Sequence, residues 1–174
     1  AIGIQWNATE DYLNAFDNWL KEMNYFIYDV FDGQAQLGET VVYNNSENFD
    51  NCDVRVYASN MVWPNASVGG INYIGNKHVH LPRKWYGNRD DTREFTSRSD
   101  YISTYDRFYY YTIAHELGHY MLSFFDEYVY TDTIKTKVIP KDYNYGFMDF
   151  QYPNGDEWHS EMSNPTRYPD NIYK

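Results

Sequence analysis

The sequence predicts an α+β domain, on three observations. A long stretch near the start repeats apolar residues at three–four spacing, a group of short β-rich runs follows it, and a second helical pattern past residue 100 carries paired histidines. The 174 residues suffice for one hydrophobic core and not for a second of useful size, so residues 1–174 are expected to form a single domain. Hydrophobic residues make up 43% and aromatics 20%, including 20 tyrosines, which is far more than a disordered segment carries. Tyrosine buries a large apolar ring yet keeps a polar handle, so core and peptide-contacting surface can use the same residue type.

From about Thr9 to about Phe31, apolar side chains fall at Tyr12, Leu13, Phe16, Trp19, Leu20, Met23, Phe26, Ile27 and Val30. That spacing describes an amphipathic helix with a core-packing stripe, and Gly33 is a natural stop. Strands are expected over Thr40–Tyr43 and over Asp53–Ala58, where Val54, Val56 and Ala58 alternate. Trp63-Pro64-Asn65 breaks the chain. Gly69–Gly75 reads as another strand and Val79-His80-Leu81 as a last short one, ended by Pro82. The stretch from Lys84 to Asp100 is polar and irregular. A second helix is expected from near Thr104 to just past Met121, with Ser103 and Asp106 forming a capping pattern. Beyond Tyr130 the chain is turn-rich and aromatic, an irregular C-terminal subdomain with no convincing helix before about Trp158. Two long helices packed on a mixed, twisted sheet satisfy this order.

The net charge of −11 argues against nucleic acid or an anionic membrane as partner, and no apolar run approaches a membrane span. Asn88-Arg89-Asp90-Asp91 and Asn154-Gly155-Asp156-Glu157 are acidic loops of the kind that hold Ca²⁺, but neither has the full spacing of a helix–loop–helix site, so they read as solvated surface. The single cysteine, Cys52, excludes an internal disulfide and reads as a small buried residue rather than a thiolate that blocks a metal. The chain starts at Ala1 and reads as a piece of something longer. Asn7-Ala8-Thr9, Asn44-Asn45-Ser46 and Asn65-Ala66-Ser67 are glycosylation acceptor triplets, weak signals for a secreted protein in so Asn-rich a sequence.

The chemistry concentrates in His115-Glu116-Leu117-Gly118-His119. Residues four apart lie on one helix face, so the two imidazoles can converge on one metal at roughly 2.0–2.1 Å. Glu116, offset around the helix, reaches a water activated by that metal without being a ligand, and it is the expected general base. Nitrogen and oxygen donors with an open position favour a single catalytic Zn²⁺. A third ligand is needed, and Asp126 is the first choice. On a continuing helix it would lie about 10 Å further along the axis, so the helix must stop near Leu122 or Ser123 and the chain must turn back. Glu127 is chemically competent and reads as a supporting or surface residue; Glu161 is the fallback. His78 and His80 flank the last strand and are expected at the surface. His159 is a lesser candidate for a transition-state donor.

The run from His115 to Tyr128 resembles the active-site segment of the peptidase domain in the calcium-activated chloride channel regulator proteins, which belong to the metzincin group of zincins. That resemblance implies a zincin-like fold, His115, His119 and Asp126 as zinc ligands, Glu116 as general base, and a secreted or self-cleaving peptidase attached to further domains. It also implies a methionine turn after the third ligand. Met148, within Tyr145-Gly146-Phe147-Met148-Asp149-Phe150, fits that place, and Met162 is the rival. Metzincins pair extended substrate with an antiparallel edge strand, for which Gly69–Gly75 is the expected segment. Most metzincins have a glycine and then a histidine where this chain has Leu122 and Phe125. The regulator proteins have a glycine where this chain has Ser123, and Phe150 stands where some metzincins have a tyrosine.

The leading expectation is therefore a zinc endopeptidase acting on extended peptide or protein. The alternative is a self-cleaving or adhesion module whose zinc is structural and closed by a fourth protein ligand.

Overall fold

In the computed structural model, which describes residues 1–73, 77–84, 109–126, 129–131, 136–138 and 148, two helices cover one face of a mixed five-stranded sheet. The first, α1, spans Glu10–Val30. The Thr9 hydroxyl caps it by accepting from the Tyr12 amide, and Glu10 and Asp11 place negative charge at the positive end of the helix dipole. The chain leaves α1 through two left-handed residues, Asp32 (φ 51°) and Gly33 (φ 74°), and the Gly33 amide returns to the Tyr28 carbonyl at 2.7 Å. The expected stripe is the buried one: Tyr12, Phe16, Trp19, Met23, Ile27 and Val30 face inward, while Leu13, Leu20 and Phe26 pack at its margins.

The strands are β1 (Ile2–Ile4), β2 (Val42–Tyr43), β3 (Val54–Val56), β4 (Asn65–Ala66) and β5 (Val79–Leu81), in the order β2-β1-β3-β5-β4. All neighbours are parallel except β4, which runs antiparallel to β5 with Asn65 opposite His80 and Ala66 opposite Val79. Register puts Ile2, Val54 and Val79 in one row and Ile4, Val56 and Leu81 in another. All six are buried, because period-two alternation sends them to the helix-covered face.

The second helix, α2, is described over Tyr109–Leu122 and packs against α1. Tyr109 meets Trp19 edge-on at 4.9 Å and Phe16 at 6.5 Å, and Phe26 meets Tyr111 at 4.9 Å. Burying a ring such as Trp19 contributes about 1.5–3 kcal/mol or more, so this aromatic seam is a principal tie between the helices. The hydroxyls of Tyr12 and Tyr109 donate to the carbonyls of Arg83 and Pro82 at 2.6 and 2.5 Å, which fastens both helices to the end of β5.

Several expectations need correction. β1, an interior strand between β2 and β3, carries no sequence signal, since three residues offer no periodicity to read. Gly69–Gly75 is not a strand: Gly70–Asn72 form a 3-10 turn entered through left-handed Gly69, and 74–76 lie outside the described residues. The antiparallel strand is β4 instead, which begins at Asn65, the last residue of the segment read as a break. A further antiparallel pair, β6 (Val129–Thr131) with β7 (Thr136–Val138), lies in the region expected to be irregular. The Ser103–Asp106 cap, the 84–100 stretch beyond Lys84, the acidic loops at 88–91 and 154–157, and most of the C-terminal region fall outside the described residues. Among those described, no helix is long and apolar enough to cross a membrane.

Candidate metal centre

α2 runs through the core, so its polar side chains are buried: His115 is 1% exposed, Glu116 2% and His119 8%. One helical turn brings the two imidazoles to 4.7 Å between ring centres, nearly perpendicular, with their Nε2 atoms 3.1 Å apart. The helix ends at Leu122, and Ser123 takes a left-handed conformation with φ 61°. That single residue reverses the chain. The Phe124 amide reaches back to the Gly118 carbonyl at 3.2 Å, and the Phe124 ring stacks on Phe31 at the end of α1. Asp126 thereby returns to the histidines, with Oδ1 at 3.0 Å from His115 Nε2 and 3.3 Å from His119 Nε2.

The reversal also sets the proton on His119. Its Nδ1 lies 2.7 Å from the Phe124 carbonyl oxygen. A carbonyl only accepts, so Nδ1 carries the hydrogen and the Nε2 lone pair of the neutral ring points at Asp126. Such a contact from the far ring nitrogen is the usual way a ligating histidine is oriented.

Behind His119, the loop before β5 clamps the helix end. The Gly69 amide donates to the His119 carbonyl at 2.7 Å. Left-handed Gly69 (φ 67°) allows this approach, and a Cβ on Gly70 would lie 2.6 Å from the Tyr120 ring, closer than any side chain tolerates. The Tyr120 hydroxyl donates to Asp53 at 3.2 Å; burial, then the Asp53 charge, pushes its pKa up to about 12, so it stays a phenol.

Electrostatics at the triad follow from the same contacts. Burial alone would raise the Asp126 carboxyl, but hydrogen bonds to His115 and His119 and their charges hold it far below the usual carboxylate range. For His119, burial opposes the charged ring, yet Asp126, the Phe124 carbonyl and the Glu116 charge together raise its pKa. A converging lone pair and carboxylate repel each other unless a cation lies among them. A proton meets that need in part, and a divalent metal meets it fully.

The donor set fits zinc. The three donor atoms form a triangle with sides of 3.0, 3.1 and 3.3 Å. A tetrahedral ion with ligands at 2.0–2.1 Å has edges of about 3.3 Å. His115, His119 and Asp126 are the one group of this kind among the described residues. Glu127, Glu161, His159 and Met162 lie outside them. Met148, in a turn, is 1% exposed and joins the buried cluster that includes Ile113 and Leu117.

The other two described histidines, His78 and His80, are held elsewhere. His78 Nδ1 donates to the Cys52 carbonyl at 2.6 Å, and His80 pairs with the Tyr57 hydroxyl at 2.9 Å and stacks on its ring. Both are half-buried on the sheet rather than at the surface. Cys52 is fully buried, and burial pushes its thiol up, away from the thiolate a metal would take. The supporting groups that sequence reasoning missed are the Phe124 carbonyl, the Gly69 amide and the Tyr120–Asp53 pair. The first two are backbone atoms, which carry no residue signature.

Ser123 yields a direct test of the reversal. A non-glycine residue in the left-handed region costs about 1–2 kcal/mol, part of which glycine returns as lost chain entropy on folding. Ser123→Gly is expected to stabilise by about 0.5–1 kcal/mol and raise Tm by about 2–3 °C. Ser123→Val is expected to lower both Tm and zinc uptake. Melting curves with and without zinc check this; a lower Tm for the glycine variant would contradict the strained turn.

No known protein family matches this chain, and neither does any curated protein or solved structure.

Proposed function

We propose that this chain is a zinc-dependent endopeptidase domain of the metzincin kind. The observation that carries the reading is the triangle formed by His115 and His119, on a buried helix that also carries Glu116, with Asp126 from the chain that turns back after it. The likeness of the His115–Tyr128 segment to the chloride channel regulator peptidase domain supports it, and so does Met148 buried in a turn after the third donor.

In this reading His115, His119 and Asp126 hold the ion, and the Phe124 carbonyl keeps the His119 ring in its binding tautomer. Bound zinc would supply Lewis acidity, lowering the pKa of a water and polarising the scissile carbonyl. Glu116 accepts the proton of the water as its oxygen bonds to the carbonyl carbon, and passes it to the amide nitrogen, so that the C–N bond breaks when the tetrahedral adduct collapses to acid and amine. Extended substrate adds to β4 as a further strand; among the described residues β4 is the antiparallel edge of the sheet, and the loop that leaves it touches the His119 carbonyl. Secretion and attachment to other domains belong to the same proposal.

The test is hydrolysis of casein by protein carrying one zinc per chain, with metal content measured directly. Activity that a chelator removes and added zinc restores is the expected result. One zinc per chain without hydrolysis of casein would move the assignment to a structural metal, and failure to take up zinc would end both readings.

A further inference from the structure

We propose that the cavity between α1, α2 and the segment 37–40 is a binding site for a small amphiphile with an apolar tail and an ammonium head. The site is separate from the metal centre and does not depend on the peptidase reading.

The cavity measures about 270 Å³ and opens to solvent on one side. Leu20 and Met23 of α1, Leu37 of the segment that follows it, and Ile113 and Leu117 of α2 line its walls, and the starts of β1 and β3 form its floor. An aliphatic cavity of about 150 Å³ is enough to take up benzene, so this one has room for roughly ten carbon atoms. Ile71 and Met121, at the mouth, are 48% and 39% exposed, apolar surface that a bound tail would cover.

The wall facing the helices is held in place. The Leu37 amide donates to Asn24 Oδ1 at 2.6 Å, and the Ile2 amide donates to the Val41 carbonyl at 2.9 Å, so segment 37–40 is tied at both ends. A cavity formed in advance leaves little ordering to be lost on binding.

Charge at the mouth selects the head group. Two carboxylates border the cavity, Asp53 and Glu39. Asp53 is already engaged, by the Ala1 ammonium at 2.7 Å and the Tyr120 hydroxyl at 3.2 Å. Glu39 is exposed and has no such partner among the described residues. An ammonium head is therefore attracted at Glu39, and a carboxylate head is repelled.

The helix itself keeps this site apart from the metal donors. His115 lies two residues beyond Ile113, and His119 two beyond Leu117. Two residues turn about 200° round an α-helix, so the tail packs against the side of α2 that faces away from the imidazoles.

The test is isothermal titration of the full chain with butyl-, hexyl- and octylammonium, and with octanol and octanoate. Each added methylene is expected to strengthen binding about fourfold. Octylammonium should bind about tenfold more tightly than octanoate, with octanol between them. Glu39→Lys should reverse the order of the two charged ligands and leave octanol in place. Ile71→Trp fills the mouth from an exposed position and should weaken octanol about tenfold. Amines and carboxylates can also ligate zinc, so octanol is titrated into zinc-loaded and metal-free protein, where the affinities should agree within about twofold. No dependence on chain length, an order unmoved by Glu39→Lys, or octanol binding unmoved by Ile71→Trp would overturn the site. Octanol binding that vanishes with the zinc would place the ligand at the metal centre and overturn it as well.

Discussion

Replacing Glu116 by glutamine is expected to lower kcat for peptide hydrolysis about a thousandfold while zinc content stays at one per chain. The amide has nearly the volume of the carboxylate, so the packing around a residue only 2% exposed is kept. What it loses is the ability to take a proton, and general acid–base assistance contributes about 10²- to 10⁴-fold. Glu116 is not one of the three converging donors, so metal affinity should change little. Stability should hold or rise slightly, because a buried carboxylate is replaced by a neutral group. The decisive comparison is kcat, bound zinc and Tm measured on the same preparations. A variant retaining a tenth or more of wild-type kcat would remove Glu116 from the mechanism, and one that lost zinc would give it a different role.

The second large effect is expected from Asp126→Ala. Loss of an outer contact to a ligating histidine already costs 10- to 100-fold in metal affinity, so loss of a ligand should weaken zinc by about 10³-fold or more. The effect on the metal-free fold should be small. The Asp126 side chain is 38% exposed, and its contacts with the histidines are shared with solvent, so their removal costs about 1 kcal/mol or less. Wild-type protein should therefore gain Tm on adding zinc, through binding to the folded state alone, and the variant should not. Equal zinc-induced shifts would show that Asp126 is not a ligand. Isothermal titration at fixed pH gives the affinity ratio directly.

The parts of this protein legible in its sequence are those set by local periodicity. The apolar stripe from Tyr12 to Val30 specifies α1 because 3.6-residue spacing aligns it on one face, and Thr9 and Gly33 mark its ends by cap chemistry that acts within a few residues. The pairing of His115 with His119 is legible for the same reason, since four residues is one turn. The stop of α2 near Leu122 or Ser123 was inferred from reach alone: Asp126 can meet the histidines only if the chain turns back.

What the tertiary structure decided is where non-local or backbone groups do the work. Ser123 enters the left-handed region without being glycine, and it is held there by Phe124, whose amide, carbonyl and ring bind Gly118, His119 and Phe31. No window of sequence contains all of those partners. Gly69 and Gly70 looked like the weak start of a strand, yet they are shaped by contact with His119 and Tyr120, some fifty residues away. β1 and β4, three and two residues long, are strands because neighbours supply their hydrogen bonds, not because their composition demands it. Short-range pattern thus determined the helices and the two histidines. The return of Asp126 to those histidines, the His119 ring tautomer and the antiparallel strand β4 were decided by the packing that brings distant backbone together.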